Sequence, residues 1–559
     1  MIAEFISPEA LGFILIAVML FAIFIGFPIS FTLIFLGFVF GYLGFGKLVF
    51  YLMTLQFSMV MTEQALAAVP LFVFMGIMME NAGLMERLFS SVQLMLSRVR
   101  GALFYAVLFV SVIFAAATGI VGASVTILGI MAAKSMNKSG YDVRLAAGTI
   151  TAGGTLGILI PPSIMLVVMG PIMEIPVTDL FAAAIIPGIM LAVLYAAYVT
   201  IRCAINPGLG PVLAMEDRAS SMTEVFKEFI IGLVPPALLV FAALGSILFG
   251  YATPTEAAGC GAVGSLLLAL AYKKLTLPKL QEALVKTLEI SALIMVLVAA
   301  SNFFGSVFSR LGTPMLLTEF LLNLEMNRYI ILAIVLGMIF LLGWPLEWVP
   351  IVLIIIPIIL PLIEALEFNL TWFAILVAVN LQTAWLSPPV ALSAYFLKGV
   401  VPEWDLKDIY LGMMQFMVIQ LIGLELIFAD LESAERRRSK WEKAAKGPSK
   451  EAQAHHALAA EGRVADAKYT KDFLKAIDLT AVLAAAAGDI ALFTAFTIDN
   501  GDLTETQAGT PLGRIPPPSP LAGQWPPGCG PPAAPAGTLT APACPPRPLN
   551  PEPLVPLDP

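Results

Sequence analysis

Apolar runs of about 18 residues or more recur along this chain from Leu11 to about Phe428, each long enough to cross the hydrocarbon core of a bilayer as a helix. They lie near 11–28, 29–45, 102–133, 145–170, 179–203, 229–250, 255–272, 328–361, 370–398 and 408–429. Two further stretches, near 62–97 and 290–322, are too long and too interrupted to be single spans. Each reads as a re-entrant hairpin, with a turn near Glu80 and Asn81 in the first and near Ser301, Asn302 and Gly305 in the second. Turns at that depth expose carbonyls and amides, which is tolerated only where they line protein or a water-filled cavity. The segments ahead of them, "KLVFYLMTLQFSMV" and "KLTLPKLQEALVKTLEI", read as interfacial helices. The pattern predicts an all-α polytopic membrane protein. Its first run follows "MIAEFISPEA", which has no basic stretch and no small-residue cleavage site, so it is expected to be a retained span.

The pattern also repeats. "LIPP" ending at Pro162 returns as "LSPP" ending at Pro389, a shift of 227 positions. The same shift lays "SGYDVRLAAG" on "LEFNLTWFAI" without a gap and carries the first five runs onto the last five. The chain therefore reads as a duplication. A first repeat covers 1–204, with its hairpin near 62–97 and a broken helix near 102–133; a connecting loop covers 205–226. A second repeat covers 227–430, with its hairpin near 290–322 and a broken helix near 328–361. Five crossings per repeat is an odd number, so the second repeat starts on the opposite face and the two are predicted to be inverted. From Asp430 the sequence turns charged and, from about Thr510, rich in Pro, Ala and Gly, so 431–559 reads as a disordered tail.

Helix-breaking residues gather where the chain is most apolar. "GGTLGILIPPSIMLVVMG" carries Gly157, Pro161, Pro162 and Ser163, and its counterpart "NLQTAWLSPPVALSAYF" carries Thr383, Ser387, Pro388 and Pro389. "AAATGIVGASVTILGIM" carries Thr118, Gly119, Gly122 and Ser124, and "LLGWPLEWVPIVLIIIPIILP" carries Gly343, Pro345 and Glu347. A broken helix frees carbonyls for a cation and amides at its half-helix N-terminus for an anion. Close packing explains one isolated Gly or Pro; duplicated breaks beside duplicated proline pairs point to a solute and an ion held near the midplane. Glu347 stands out, because a carboxylate in an apolar span is costly and usually functional.

Composition narrows the chemistry. Of the 559 residues 59% are hydrophobic and 13% charged, and the net charge of -8 is spread over loops and tail, so no nucleic-acid partner is expected. The 4 cysteines have no metal-binding spacing and the 2 histidines, His455 and His456, fall outside the apolar region, so neither a zinc site nor a haem nor any other cofactor is expected. HExxH, GxSxG and DDxxD are absent from the spans and no Walker A motif occurs, which argues against an enzyme and against ATP coupling in this chain. Lys134, Lys138, Arg144, Arg202, Lys273, Lys274, Lys279, Lys398 and Lys407 mark one face as cytoplasmic, against Arg98, Arg100 and Arg436 to Arg438 on the other.

The segments "PLFVFMGIMMENAGLMERL", "GYDVRLAAGTITAGGTLGILIPPSI", "PGIMLAVLY", "YATPTEAAGCGAVGSLL" and "NLQTAWLSPPVALSAYFLKGVVP" occur in the order found in the large membrane subunit of tripartite ATP-independent periplasmic (TRAP) transporters, the DctM-like family, which residues 1 to about 430 resemble. The resemblance implies a multi-pass protein of a bacterial or archaeal inner membrane with the elevator fold of the ion-transporter superfamily. It implies Na+ as coupling ion, membrane lipid around the spans, and two partners: a small four-helix membrane subunit (Q) and a periplasmic binding protein (P) that delivers an organic acid. The family's Na+ and substrate region maps onto Ser301 and Asn302, Gly119 to Ser124, Gly343 to Glu347, Gly157 to Ser163 and Thr383 to Pro389. The sequence departs from the family twice: Thr-Pro-Pro-Val-Gly becomes Ser387 to Ala391, and the acid of Gly-x-x-x-Asp is Glu347. The alternatives are an ion-coupled organic-anion transporter that works without a binding protein, and a channel.

Overall fold

The computed structural model describes residues 7–118, 121–213, 218, 222–323, 326–344, 346–388 and 391–445. Among them there is no strand. The first half runs α1 (Pro8–Ile25), α2 (Ile29–Phe45), α3 (Leu48–Thr62), α4 (Ala68–Asn81), α5 (Leu84–Leu96), α6 (Ala102–Thr118), α7 (Val121–Lys138), α8 (Val143–Thr155), α9 (Ile164–Met173) and α10 (Val177–Ile205). The second runs α11 (Met222–Glu228), α12 (Val234–Leu248), α13 (Pro254–Ala271), α14 (Leu277–Arg310), α15 (Thr313–Leu322) and α16 (Arg328–Leu342), then α17 (Trp348–Pro350), α18 (Ile356–Ala365), α19 (Leu370–Leu386), α20 (Leu392–Val400) and α21 (Leu406–Ala445). A π turn, Phe229–Leu233, joins α11 to α12, and another, Ile351–Ile355, joins α17 to α18 into one helix, Trp348–Ala365.

Local chemistry sets the helix starts. Asp142 accepts the Leu145 amide at 2.8 Å at the head of α8, and Asn369, at the position shifted by 227, accepts the Trp372 amide at 2.9 Å at the head of α19. Thr253 and Glu256 form a reciprocal capping box before α13. Each such cap is worth about 1 kcal/mol. Seven described helices are long and apolar enough to cross a membrane, and α3 with the helix from Ala65 to Asn81 adds a pair bent by 58°. The broken segments fall short of that length because each stops at its Gly or Pro.

The fold exchanges the two kinds of element assigned from hydropathy. The stretches 102–133 and 328–361 are the folded-back pairs, and 62–97 and 290–322 are not. α6 runs alongside α8, with the Leu103 amide 3.4 Å from the Tyr141 hydroxyl and Ser111 against Gly153, while α7 returns along it with Val125 against Gly154. Both ends of the pair meet one loop: the Gly101 amide donates to the Gly210 carbonyl at 2.9 Å and the Asp142 amide to that of Leu209 at 3.0 Å. Likewise α16 runs along α19, with Asn380 Nδ2 donating to the Leu336 carbonyl at 2.8 Å, and the return helix brings Phe368 back beside Tyr329, ring centroids 5.8 Å apart.

In 62–97, by contrast, α4 packs on α13 and α14 while α5 packs on α6 and the π turn after α11. In the second half no turn forms at Ser301 and Asn302, which lie inside the continuous α14, so the amphipathic start and the apolar end of that segment are one helix. Gly305 alone does not stop a helix; the chain turns instead at Gly312, φ 79°, followed by Pro314, as it turns at Gly83, φ 68°. A left-handed residue with proline just inside the next helix is the stronger signal.

α8 and α19 form the centre, buried from Leu145 to Thr155 and from Phe373 to Leu386. α8 packs on α21 closely enough that a Cβ on Gly412 would lie 2.0 Å from the Arg144 carbonyl oxygen. Packing between the halves is reciprocal: α4 lies on α13 as α14 lies on α2, and α8 lies on α21 as α19 lies on α10. α21 continues as helix beyond Asp430 to Ala445; the rest of the predicted tail, 446–559, lies outside the described residues.

Candidate transport site

The starts of the returning legs of the two folded-back pairs both line one cavity of about 380 Å³. α7 contributes Val121, Gly122, Ala123, Thr126 and Ile127, and the helix 348–365 contributes Trp348, with Glu347 just before it. Trp385 from the end of α19, Phe396 from α20 and Glu80 from the end of α4 complete the lining. Amides in the first turn of a helix lack intrahelical partners, so the starts of α7 and of helix 348–365 turn positive ends to this space. Glu347 occupies the N-cap position of its helix, makes no capping bond and is exposed, while Glu80 is half-buried. Phe396 packs on the start of α7: a Cβ on Gly122 would lie 2.9 Å from its ring.

Of the residues predicted from sequence, Gly122 and Glu347 line this cavity, and Ser124 is buried on α7 beside them, 1% exposed. Thr118 ends α6, but its side chain, with Gly119, Pro345 and Pro389, lies outside the described residues. Gly343 packs on Ala384. The next residue, Trp344, donates its indole N–H to Ser387 Oγ at 2.6 Å, and Ser387 donates to the Ala384 carbonyl at 3.0 Å. That bond ties the turn of the second folded-back pair to the break before Pro388. Thr383 bonds to its own helix at the Val379 carbonyl, 3.0 Å.

In the first half Gly157, Pro161, Pro162 and Ser163 form the buried break between α8 and α9, where Ser163 Oγ donates to the Ile158 carbonyl at 2.5 Å. None of the four lines the cavity. Ser301 and Asn302 do not line it either; Ser301 is fully buried in α14 and its hydroxyl has no partner.

Sequence reasoning left out Trp348, Trp385, Phe396 and Thr126, and used Glu80 only to mark a turn. Glu80 had a signal of its own, being a carboxylate at the end of an apolar helix. The aromatics had none, since indoles and phenyls abound in spans. The end of α4 is held in place by a reciprocal pair: Lys279 Nζ donates to the Asn81 carbonyl at 2.7 Å and Asn81 Nδ2 to the Lys279 carbonyl at 3.4 Å. Among the described residues no three His, Cys, Asp or Glu side chains are grouped to hold a metal.

An apolar helical bundle in which the returning legs of two folded-back pairs line one cavity that also holds two carboxylates has the build of a multi-pass membrane permease. Residues 15–431 match the family described as the tripartite ATP-independent periplasmic transporter, DctM component, and the chain belongs to that family. It is 29% identical over 365 residues to the C4-dicarboxylate TRAP transporter large permease protein DctM of Pseudomonas aeruginosa PAO1, covering 65% of this chain and 83% of that one. It is 27% identical over 365 residues to the sialic acid TRAP transporter large permease protein SiaM of Vibrio cholerae, with the same coverage of each. The solved structure of the Alcanivorax borkumensis YdaH transporter shares the fold, with a TM-score of 0.50 at 15% identity over 68% of this chain and 88% of that one.

Proposed function

We propose that this chain is the large membrane subunit of a Na+-coupled secondary transporter that imports an organic acid across the inner membrane by an elevator mechanism. A small four-helix membrane subunit and a periplasmic binding protein that hands over the solute complete the system. The observation that carries this reading is one cavity lined by the starts of the returning legs of both folded-back pairs. First-turn amides of the two returning legs favour the anion, and the Glu347 carboxylate beside them suits a cation. Membership of the family and the solutes for which its relatives are named, C4-dicarboxylates and sialic acid, support a carboxylate as cargo.

The reciprocal packing of the halves, together with the 227-residue shift, supports two inverted repeats. Folded-back pairs and broken helices then form the moving body, and α1, α2, α12 and α13 form its frame. The fold-back also strengthens the orientation. It brings the loops after Arg98 and Arg100 to the end that carries Lys134, Lys138 and Arg144, where Arg144 bonds Asp408 at 2.8 Å and Asn137 bonds Glu403 at 3.1 Å. That basic end is read as cytoplasmic.

The test is uptake into proteoliposomes holding this chain with its small subunit, supplied with binding protein and labelled solute. An inward Na+ gradient alone should drive accumulation. Uptake unchanged when Na+ is replaced by K+ sinks the coupling.

A further inference from the structure

The cavity between the breaks is walled by two carboxylates, Glu80 and Glu347, and three aromatic rings, Trp348, Trp385 and Phe396. None of its described lining residues is Lys, Arg or His, and neither are Gly119, Ile120 and Pro345, their neighbours in the chain. Lys286 of α14, whose charge reaches Glu80, is paired with Glu282 at 2.8 Å and does not line the cavity. A solute bearing only negative charge meets two like charges here and no side-chain cation.

A positively charged nitrogen fits instead. Carboxylates offset its charge, and aromatic faces attract it through their quadrupoles. Trp385 and Phe396, both lining the cavity, stack with centroids 6.3 Å apart and planes 14° apart, which leaves each ring one face not turned to the other. The same space also offers donors to an acid. Residues 121–123 at the start of α7 and Trp348 at the start of helix 348–365 line it, and first-turn amides bind oxyanions. Trp385 is 5% exposed and its indole N–H has no partner, a donor that stays costly until an acceptor meets it.

We propose that the solute is a carboxylate that also carries an ammonium group, held with the ammonium at Glu80, Glu347 and the aromatic wall and the carboxylate at the two helix starts. This rests on the transporter reading and narrows its cargo from organic acids in general to zwitterions. It also gives Glu80 a part in selecting the solute.

Two probes of nearly equal shape test it on the purified full-length chain at constant Na+: N,N,N-trimethylglycine, and 3,3-dimethylbutanoate, in which carbon replaces the charged nitrogen. Binding is read as the rise in thermal unfolding midpoint. The zwitterion should half-saturate at a concentration at least about tenfold lower than the plain acid. In Glu80→Gln that preference should shrink to about threefold or less, and Glu347→Gln should shrink it in the same direction. Equal or tighter binding of 3,3-dimethylbutanoate, no binding of trimethylglycine, or a preference intact in both variants overturns the proposal. Na+-driven uptake of succinate that trimethylglycine does not compete also removes it while leaving the transporter reading intact. A clear zwitterion preference with uptake indifferent to Na+ supports the proposal and instead sinks the coupling.

Discussion

The two breaks that share one sequence pattern are built differently. In the first half, α8 ends in a buried break whose hydroxyl, Ser163, bonds within its own segment, and the neighbouring turn leads into α7 with the bare backbone of Gly122 at the cavity. In the second half, Ser387 is bonded across to Trp344, and the turn leads into Glu347 and Trp348. Each half presents a helix start and one carboxylate, Glu80 or Glu347, but the first adds small residues and the second adds the aromatic rings of Trp348, Trp385 and Phe396. Two halves that share one sequence pattern therefore line the cavity unequally.

The largest effect that would break this comparison comes from the first half. Gly154 stands where the shift of 227 puts Leu381 in the second. A Cβ on Gly154 would lie 2.4 Å from the Val125 side chain and 3.1 Å from its backbone nitrogen. Gly154→Leu is expected to cost at least about 3 kcal/mol, seen as loss of the monodisperse peak on size exclusion. Recovery of normal protein would mean that α7 and α8 are not held together there.

Next comes Glu347→Gln, expected to lower Na+-driven uptake by more than about tenfold at near-normal membrane levels, since it removes a charge at the cavity with little change in shape. Gly122→Ala, at the same cavity, meets only the edge of a movable ring, so about a two- to threefold loss is expected. Equal losses in the two would erase the division of labour between the halves.

Two serines sharpen the comparison further. Ser387→Ala leaves the Trp344 indole unpaired and should lower the thermal midpoint, by about 1–2 kcal/mol of stability. Ser301→Ala removes a buried hydroxyl that has no partner, so stability should hold or rise slightly and the Na+ dependence of uptake should stay the same. A several-fold rise in half-saturating Na+ for Ser301→Ala would restore it as an ion ligand.

The smallest effect concerns Ala391, which sits at φ 38° where the family has glycine. Ala391→Gly relieves that left-handed strain, with a gain of about 0.5–1 kcal/mol offset in part by the greater freedom of glycine when unfolded. A lower midpoint would show that the Ala391 methyl group contributes more by packing than its backbone strain costs.

Hydropathy and punctuation alone pointed to the membrane class, to helix ends at Thr118, Leu342 and Leu386, and to the break at Pro161–Pro162. These follow from chain-local physics: a bilayer demands apolar length, and clustered Gly and Pro interrupt helices, although single ones such as Gly305, Pro187 and Pro361 sit inside helices here. Which segments fold back was not legible, because a leg that returns and a span that continues have the same apolar composition. That choice rests on contacts between distant residues, Gly153 with Ser111, Gly154 with Val125 and Trp344 with Ser387. The packing of α4 on α13, α14 and α6 likewise brings Glu80 to a cavity with Glu347, which is distant from it in sequence. A solute site is a property of such meetings, and only the packed structure decides which side chains meet.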